Sequence, residues 1–424
     1  MSLFSDKYIY KFGGASLADA QRIKKVISII KSYGPARLVV VISALGKTTN
    51  ELERIHLAAR ANDPALEELI RLLEEKHLAI AKELFDEGEE VFNELDPWFV
   101  KLRDWAFLRA GYDDLFLYDQ IVSIGEYLSS IIVSHFLRKT GRDNRWINAC
   151  DIIRTDHSYR EAIIDWDITH TLINQSLNFK GETCYVVQGF IGGTVEKMAT
   201  TLGREGSDYT AAIIASCVEA VEAVVWKDVP GVLNADPRIF KDAVKLDQIS
   251  YYEAIEMTYY GAQVIHPKTL QPLQQKKIPL RVKSFLDPDL PGTLIHSDDA
   301  HIPPHIPVII FKSNQLLISI YTRDFSFIAD EHISQIYAYL VRKGIKSNLS
   351  QNSATNFSLI VDNVSYKTEA LLEFLKHHFR VLINEGLQIL TIRNYHASLV
   401  DLLIKDRTVL LEQRSRHTVQ ILLK

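Results

Sequence analysis

Apolar residues recur along this chain in two rhythms, and the change between them falls at residues 287 to 307, where DPDLPG and Pro303-Pro304 read as a linker. Before it, short continuous apolar runs alternate with stretches of helical spacing. YIYK at 8–11 predicts a strand that feeds through Phe12 into Gly13 and Gly14. Leu17, Ile23, Val26, Ile27 and Ile30 then recur at helical spacing until Gly34-Pro35 stops them. RLVVVIS at 37–43 has the unbroken apolar character of a parallel strand covered on both faces. Residues 51 to 120 read as helical, with breaks at Asn62-Asp63-Pro64, Asp86-Glu87-Gly88 and Asp96-Pro97. Further strands are predicted at 146–149, 183–193, 221–226 and 280–285. Between them lie a helix capped by Ser207 and running to Cys217, and a helix from Tyr251 to Tyr260 ended by Gly261.

Past the linker the period changes. Strands near 308–312 and 316–322 precede a helix with Ile333, Ile336, Tyr337 and Leu340 at i, i+3, i+4 and i+7. Strands near 346–351 and 356–362, a helix over 367–379, and strands near 380–384 and 387–393 follow. A short helix and the pair 407–412 and 417–423 finish the chain.

Composition narrows the class. A chain of 424 residues predicts two or three domains, and 47% apolar with 24% charged residues predicts substantial cores. A net charge of −5 gives no general attraction to nucleic acid or acidic membrane surfaces. No leader and no apolar run long enough to cross a bilayer is read, so a cytoplasmic protein is expected. Cys150, Cys184 and Cys217 lack metal-ligand spacing and are expected as buried free thiols.

The candidate chemistry sits at strand ends. Lys11 closes the first strand, and Gly13-Gly14 lets backbone N–H groups approach an anion, with a helix N-terminus adding partial positive charge. The same segment reads as well as an ordinary strand-to-helix turn with a solvated lysine. Gly46-Lys47-Thr48 is not a P-loop, because the first glycine of that motif would fall at Val41. Ser43 and Thr49 lie in a polar loop at the carboxyl end of a strand, where open α/β sheets bind small ligands. Glu126 opens an apolar helix, Arg204 can grip a carboxylate with two parallel hydrogen bonds, and Asp208 sits in a first helical turn; each also has a purely structural reading. His266, before Pro267, reads as packed or hydrogen-bonded rather than reactive.

Seven segments stand in series: KFGGASLAD at 11, VISALGKTTNEL at 41, SIGE at 123, QGFIGG at 188, TTLGREGSDYTA at 200, WKDVPGVLNADPR at 226 and GAQVIHPKTL at 261. Together they make residues 7–296 resemble the amino-acid kinase family and, within it, the aspartate kinases. The resemblance implies an α/β fold with an open, mostly parallel sheet sandwiched by helices over residues 1–296. It implies transfer of the γ-phosphoryl of ATP to the side-chain carboxylate of L-aspartate, the first step toward lysine, threonine and methionine.

By resemblance, Lys11 lies on the phosphates with Gly13 and Gly14, and Asp208 orients it. Arg204 clamps the α-carboxylate, Glu126 accepts from the ammonium, and Ser43, Thr49, Phe190 and Ser207 complete the pocket. The nucleotide lies along Lys227, Asp228, Leu233 and Arg238, with Mg2+ held mainly by the phosphates and no protein metal ligand. Three positions depart from the pattern. Gln263 replaces a lysine, Glu205 a glycine and Leu233 a tyrosine, and Lys227 stands ready to replace the missing charge. The order of elements over 297–424 resembles an ACT region of α+β ferredoxin-like type, one complete unit and one abbreviated. That implies a regulatory amino acid, lysine or threonine, and a homodimer. A non-catalytic amino-acid sensor, or a kinase for another acidic amino acid such as glutamate, are the alternatives.

Overall fold

A computed structural model describes residues 6–108, 111–181, 183–262, 265–297, 306–324 and 326–424. The chain groups into two compact units. One comprises Met1–Val232, Lys245–Ile255 and Gln263–Ile302; the other comprises Leu233–Val244, Glu256–Ala262 and Pro303–Lys424.

The first unit is built on strands β1 (Lys7–Phe12), β2 (Arg37–Ile42), β3 (Arg145–Ile147), β4 (Cys184–Gln188), β5 (Ile191–Gly193), β6 (Ala199–Thr201), β7 (Glu222–Lys227), β8 (Gln248–Ser250), β9 (Leu280–Ser284) and β10 (Thr293–His296). Among the described residues, eight of these form one sheet in the order β3-β4-β2-β1-β7-β9-β10-β8, while β5 and β6 pair separately. Neighbours run parallel except β9 and β10.

The centre of the sheet explains where a ligand can sit. β1 lies between β2 and β7, with Lys11 opposite Val41 and Val225, and Phe12 opposite Ile42 and Trp226. Three parallel strands therefore end side by side, and their continuations, Gly13, Ser43 and Lys227 with Asp228, emerge on one edge. Beneath them Phe12 stacks on Trp226 with ring centroids 5.8 Å apart, both rings essentially inaccessible. Burying two such side chains is what fixes the strand register.

Several sequence expectations are corrected. The helix Glu90–Phe107 passes straight through Asp96-Pro97, because Val91, Leu95, Phe99, Leu102 and Ala106 form one continuous buried stripe that outweighs the lost hydrogen bond at Pro97. The run 183–193 is two strands, broken where Phe190 takes φ +70°. The segment read as linker contains β10, which joins the main sheet between β9 and β8. Ser207 is not a cap: the helix Gly206–Val218 begins after Glu205, which takes φ +53°. One helical stretch, Asp114–Lys139, is long and apolar enough to cross a membrane, contrary to the expectation of none, but its apolar window is wholly buried within the fold. The three cysteines are buried free thiols as expected.

The second unit contains β11 (Val308–Tyr321), β12 (Ser347–Asn352), β13 (Asn356–Asp362), β14 (Arg380–Arg393), β15 (Val409–Arg414) and β16 (Thr418–Leu423). These form an antiparallel sheet in the order β12-β13-β11-β14-β16-β15. β11 and β14 each run for 14 residues where two shorter strands were expected. Their length lets them serve two ferredoxin-like halves at once. The first half, β12-β13-β11-β14, carries helices Asp330–Arg342 and Ser365–His378 over a core of Leu316, Ile318, Leu340, Leu359 and Leu371. The second, β11-β14-β16-β15, carries the helix Ala397–Ile404, whose Val400 is buried with Leu390, Ile392 and Ile421. The fold is thus α/β followed by an ACT-like α+β region.

Candidate active site

A cleft of about 670 Å³ opens where the strand ends converge. Its wall nearest the sheet is cationic. Lys11, 8% exposed, places Nζ 2.5 Å from Asp208 Oδ1, and Lys227 Nζ lies 3.4 Å from Asp208 Oδ2. Burial pushes the Asp208 carboxyl up, but Lys11 and Lys227 outweigh it and hold the group below the usual range. Asp208 also sits in the first turn of helix Gly206–Val218, where the positive end of the helix favours its charge. One carboxylate therefore holds two ammonium groups at the mouth of the sheet.

The loop after β1 is shaped for close approach. Gly46 N–H donates to Gly14 O at 3.0 Å, and a Cβ on Gly14 would stand 2.5 Å from Gly46 O. Only glycine lets the loops after β1 and β2 touch. Gly189 does the same on the other side, where a Cβ would meet that of Ser207 at 2.5 Å. The Phe190 N–H then donates to Thr210 Oγ1 at 3.0 Å, which pins the strained turn to the helix.

Glu126 is the electrostatic outlier. It is 2% exposed, its Oε2 has no hydrogen-bond partner, and burial pushes its carboxyl up to about 8. The carboxylate accepts from the backbone N–H groups of Ala44 and Glu126, and the oxygen left over, buried in a cleft, costs folding free energy and suits a cationic ligand. Arg204 stands at the rim, exposed, on the loop between β6 and the helix Gly206–Val218.

The cleft brings together Lys11, Gly14, Ser43, Thr49 and Glu126 from the sequence reading, and with them Phe190, Arg204, Ser207, Asp208 and Lys227. Gly13, Asp228, Leu233 and Arg238 are not among its walls; Arg238 is bound to Asp236, with Nη2 at 2.6 Å from Oδ2. Gln263 lies outside the described residues. Glu205 lines the cleft while its Oε2 accepts from the His266 N–H at 2.9 Å, and the His266 ring caps the next helix by accepting from Lys268 N–H.

Sequence reasoning missed Glu53, Tyr118, Arg160 and Glu161, which also line the cleft. The segment SYREA around Arg160 has no glycine and no period to mark it. Its only local oddity is conformational, a φ of +72° at Arg160, which an amino-acid sequence does not display.

The fold and cleft define an open α/β sheet protein with a cationic, glycine-lined pocket at the ends of its parallel strands. Residues 6–284 match the amino acid kinase family. The chain is 30% identical over 396 residues to lysine-sensitive aspartokinase 3 of Escherichia coli, covering 92% of this chain and 87% of that protein. It is 32% identical over 365 residues to the chloroplastic aspartokinase 1 of Arabidopsis thaliana, covering 84% of this chain but 63% of the plant protein's length. The structure of E. coli aspartokinase III in complex with aspartate and ADP superposes with a TM-score of 0.83 at 27% identity, over 98% of this chain and 96% of that one. The complex of the same enzyme with lysine and aspartate gives 0.83 at 28%, over 99% and 96%. The chain belongs to the amino acid kinase family, in its aspartokinase branch.

Proposed function

We propose that this protein is an aspartate kinase, transferring the γ-phosphoryl group of ATP to the β-carboxylate of L-aspartate to give 4-phospho-L-aspartate and ADP, the step that opens the route to lysine, threonine and methionine. The observation that carries the reading is the pairing, in one cleft, of the Glu126 carboxylate, whose Oε2 lacks a partner, and the Arg204 guanidinium with the Lys11–Asp208–Lys227 cluster. An α-amino acid needs one anionic and one cationic partner; a nucleotide phosphate needs cations. The neighbouring E. coli structures, with aspartate and ADP or with lysine and aspartate, support the same assignment.

The chemistry asks little of the protein beyond placement. The β-carboxylate, with an ordinary pKa of about 3.9, is ionised at neutral pH and needs no base. One of its oxygens donates a lone pair to the γ-phosphorus while the bond to the bridging oxygen breaks and its electron pair leaves with ADP. Charge spreads over the transferred group, so alignment and cationic stabilisation supply most of the rate. Lys11 and Lys227 provide that charge, Asp208 holds them in place, and the bare backbone at Gly14 lets phosphate approach. When bound with the nucleotide, Mg2+ would neutralise phosphate charge. Arg204 holds the α-carboxylate, Glu126 accepts from the ammonium, and Ser43, Thr49, Phe190 and Ser207 close around the substrate. An assay of ADP release with L-aspartate against L-glutamate tests this; release with neither, or equal release with both, contradicts it.

The C-terminal unit is read as a regulatory module that binds lysine or threonine and pairs with a second copy. Titration calorimetry with each amino acid tests the first half, and absence of heat from both removes it.

A further inference from the structure

The structure assigns to Arg160 a second substrate-binding role: we infer that its guanidinium grips the acceptor carboxylate of the amino acid and selects for a dicarboxylic substrate. This rests on the functional reading above and deepens it.

Arg160 is not an incidental surface arginine. Its φ of +72° is a conformation that L residues rarely adopt, so the local backbone is held there against its preference. What holds it is Asp119, a fully buried carboxylate on the helix Asp114–Val122, which accepts from the Arg160 N–H at 3.1 and 3.0 Å. The same carboxylate accepts from Thr201 N–H at 2.7 Å and Thr201 Oγ1 at 2.8 Å. Thr201 ends β6 and lies three residues before Arg204. A single buried group thus fastens both arginine-bearing loops. Ala162 N–H adds a bond to Thr201 O at 3.0 Å, and Gly203 leaves room for the backbone around Arg160 and Glu161.

The side chain is placed as deliberately as the backbone. The Arg160 guanidinium lies 3.9 Å over the Tyr118 ring, whose hydroxyl donates to Glu53 Oε1 at 2.6 Å. A phenol that donates to a carboxylate is a richer π-donor, so it steadies the cation without neutralising it. Among the described residues neither Arg160 nor Arg204 is ion-paired with a carboxylate, and both line the cleft that contains the unpartnered Glu126 Oε2.

Two guanidiniums without a carboxylate partner and one buried carboxylate with a free oxygen form the complement of a zwitterionic dicarboxylate. Arg204 and Glu126 take the two groups carried on the α-carbon, which leaves Arg160 for the side-chain carboxylate. Holding one oxygen of that group fixes its plane and leaves the other oxygen to attack phosphorus.

The backbone conformation offers a clean test. Arg160→Gly removes the guanidinium while supplying the residue that prefers φ +72°, so the variant should fold at least as stably as the wild type. The expected result is a KM for L-aspartate raised about 10- to 100-fold with the KM for ATP changed less than about twofold. Competition by L-asparagine, which lacks the second carboxylate, should be unchanged, and Arg160→Lys should recover part of the loss. If the wild type releases ADP with aspartate and Arg160→Gly keeps the wild-type aspartate KM, the assignment of Arg160 is overturned and the kinase reading stands. If the wild type releases no ADP with aspartate, the kinase reading falls, and this assignment with it.

Discussion

The two sides of the cleft are built by different means. On the sheet side, Lys11 and Lys227 take their positions from strand register: β1 and β7 are parallel neighbours, and each lysine stands at a strand end above the buried Phe12–Trp226 stack. On the other side, Arg160 is placed by a loop conformation that a distant buried carboxylate, Asp119, sustains together with the Ala162 N–H bond to Thr201 O. The sheet side is a product of local pattern and hydrophobic burial. The loop side is a product of long-range hydrogen bonds. The first should therefore tolerate changes in its surroundings and fail when a charge is removed; the second should fail when its tether is cut.

The largest effect is expected at the sheet side. Lys11→Met removes a charge from the phosphate path and leaves Asp208 buried with one partner, and kcat should fall about 10²- to 10³-fold in steady-state assays. Asp208→Asn should cost nearly as much activity and also lower the unfolding midpoint, because it leaves two ammonium groups near one another without their shared anion. Retention of wild-type turnover in either variant would remove the cluster from the mechanism.

Lys227→Ala sharpens the comparison at smaller cost. If Lys227 replaces the charge missing at Gln263, the variant should raise the KM for ATP about tenfold and leave that for aspartate nearly unchanged. Unaltered ATP kinetics would show that Lys227 only balances Asp208.

Glu126 supplies a pH signature on the substrate side. Its folded pKa of about 8 lies above the ordinary 4.5, so below pH 4.5 it is protonated whether folded or not. Between 4.5 and 8 the unfolded chain ionises first, and stability drains from the fold as pH rises through that window. Glu126→Gln should therefore melt a few degrees higher than the wild type at pH 8 while losing aspartate affinity. In the wild type, kcat/KM for aspartate should climb with pH toward about 8, as the carboxylate that meets the ammonium forms. A flat profile, or a variant no more stable than the wild type at pH 8, would contradict the burial argument.

The same contrast explains what could be read without coordinates. The order of strands and helices, the glycine turn after Lys11, and Asp208 in a first helical turn follow from apolar periodicity and turn chemistry, which are written locally. The break at Pro97 was misjudged because the buried stripe on both sides of it overrode the local signal. β10 was hidden in a Pro- and Gly-rich stretch, since its pairing with β8 and β9 is decided by tertiary neighbours. The joined strands β11 and β14 looked like two strands each, because the register irregularities near Lys312 to Leu317 interrupt the alternation. Arg160 was invisible for a related reason: its partner Asp119 is 41 residues away.

The most direct test of the central claim, that this cleft aligns ATP with an amino-acid carboxylate, is capture of the acyl phosphate with hydroxylamine while ADP release is followed. The account predicts one aspartyl hydroxamate per ADP with L-aspartate and essentially none with L-glutamate. ADP release without hydroxamate, or no ADP release at all, would contradict it.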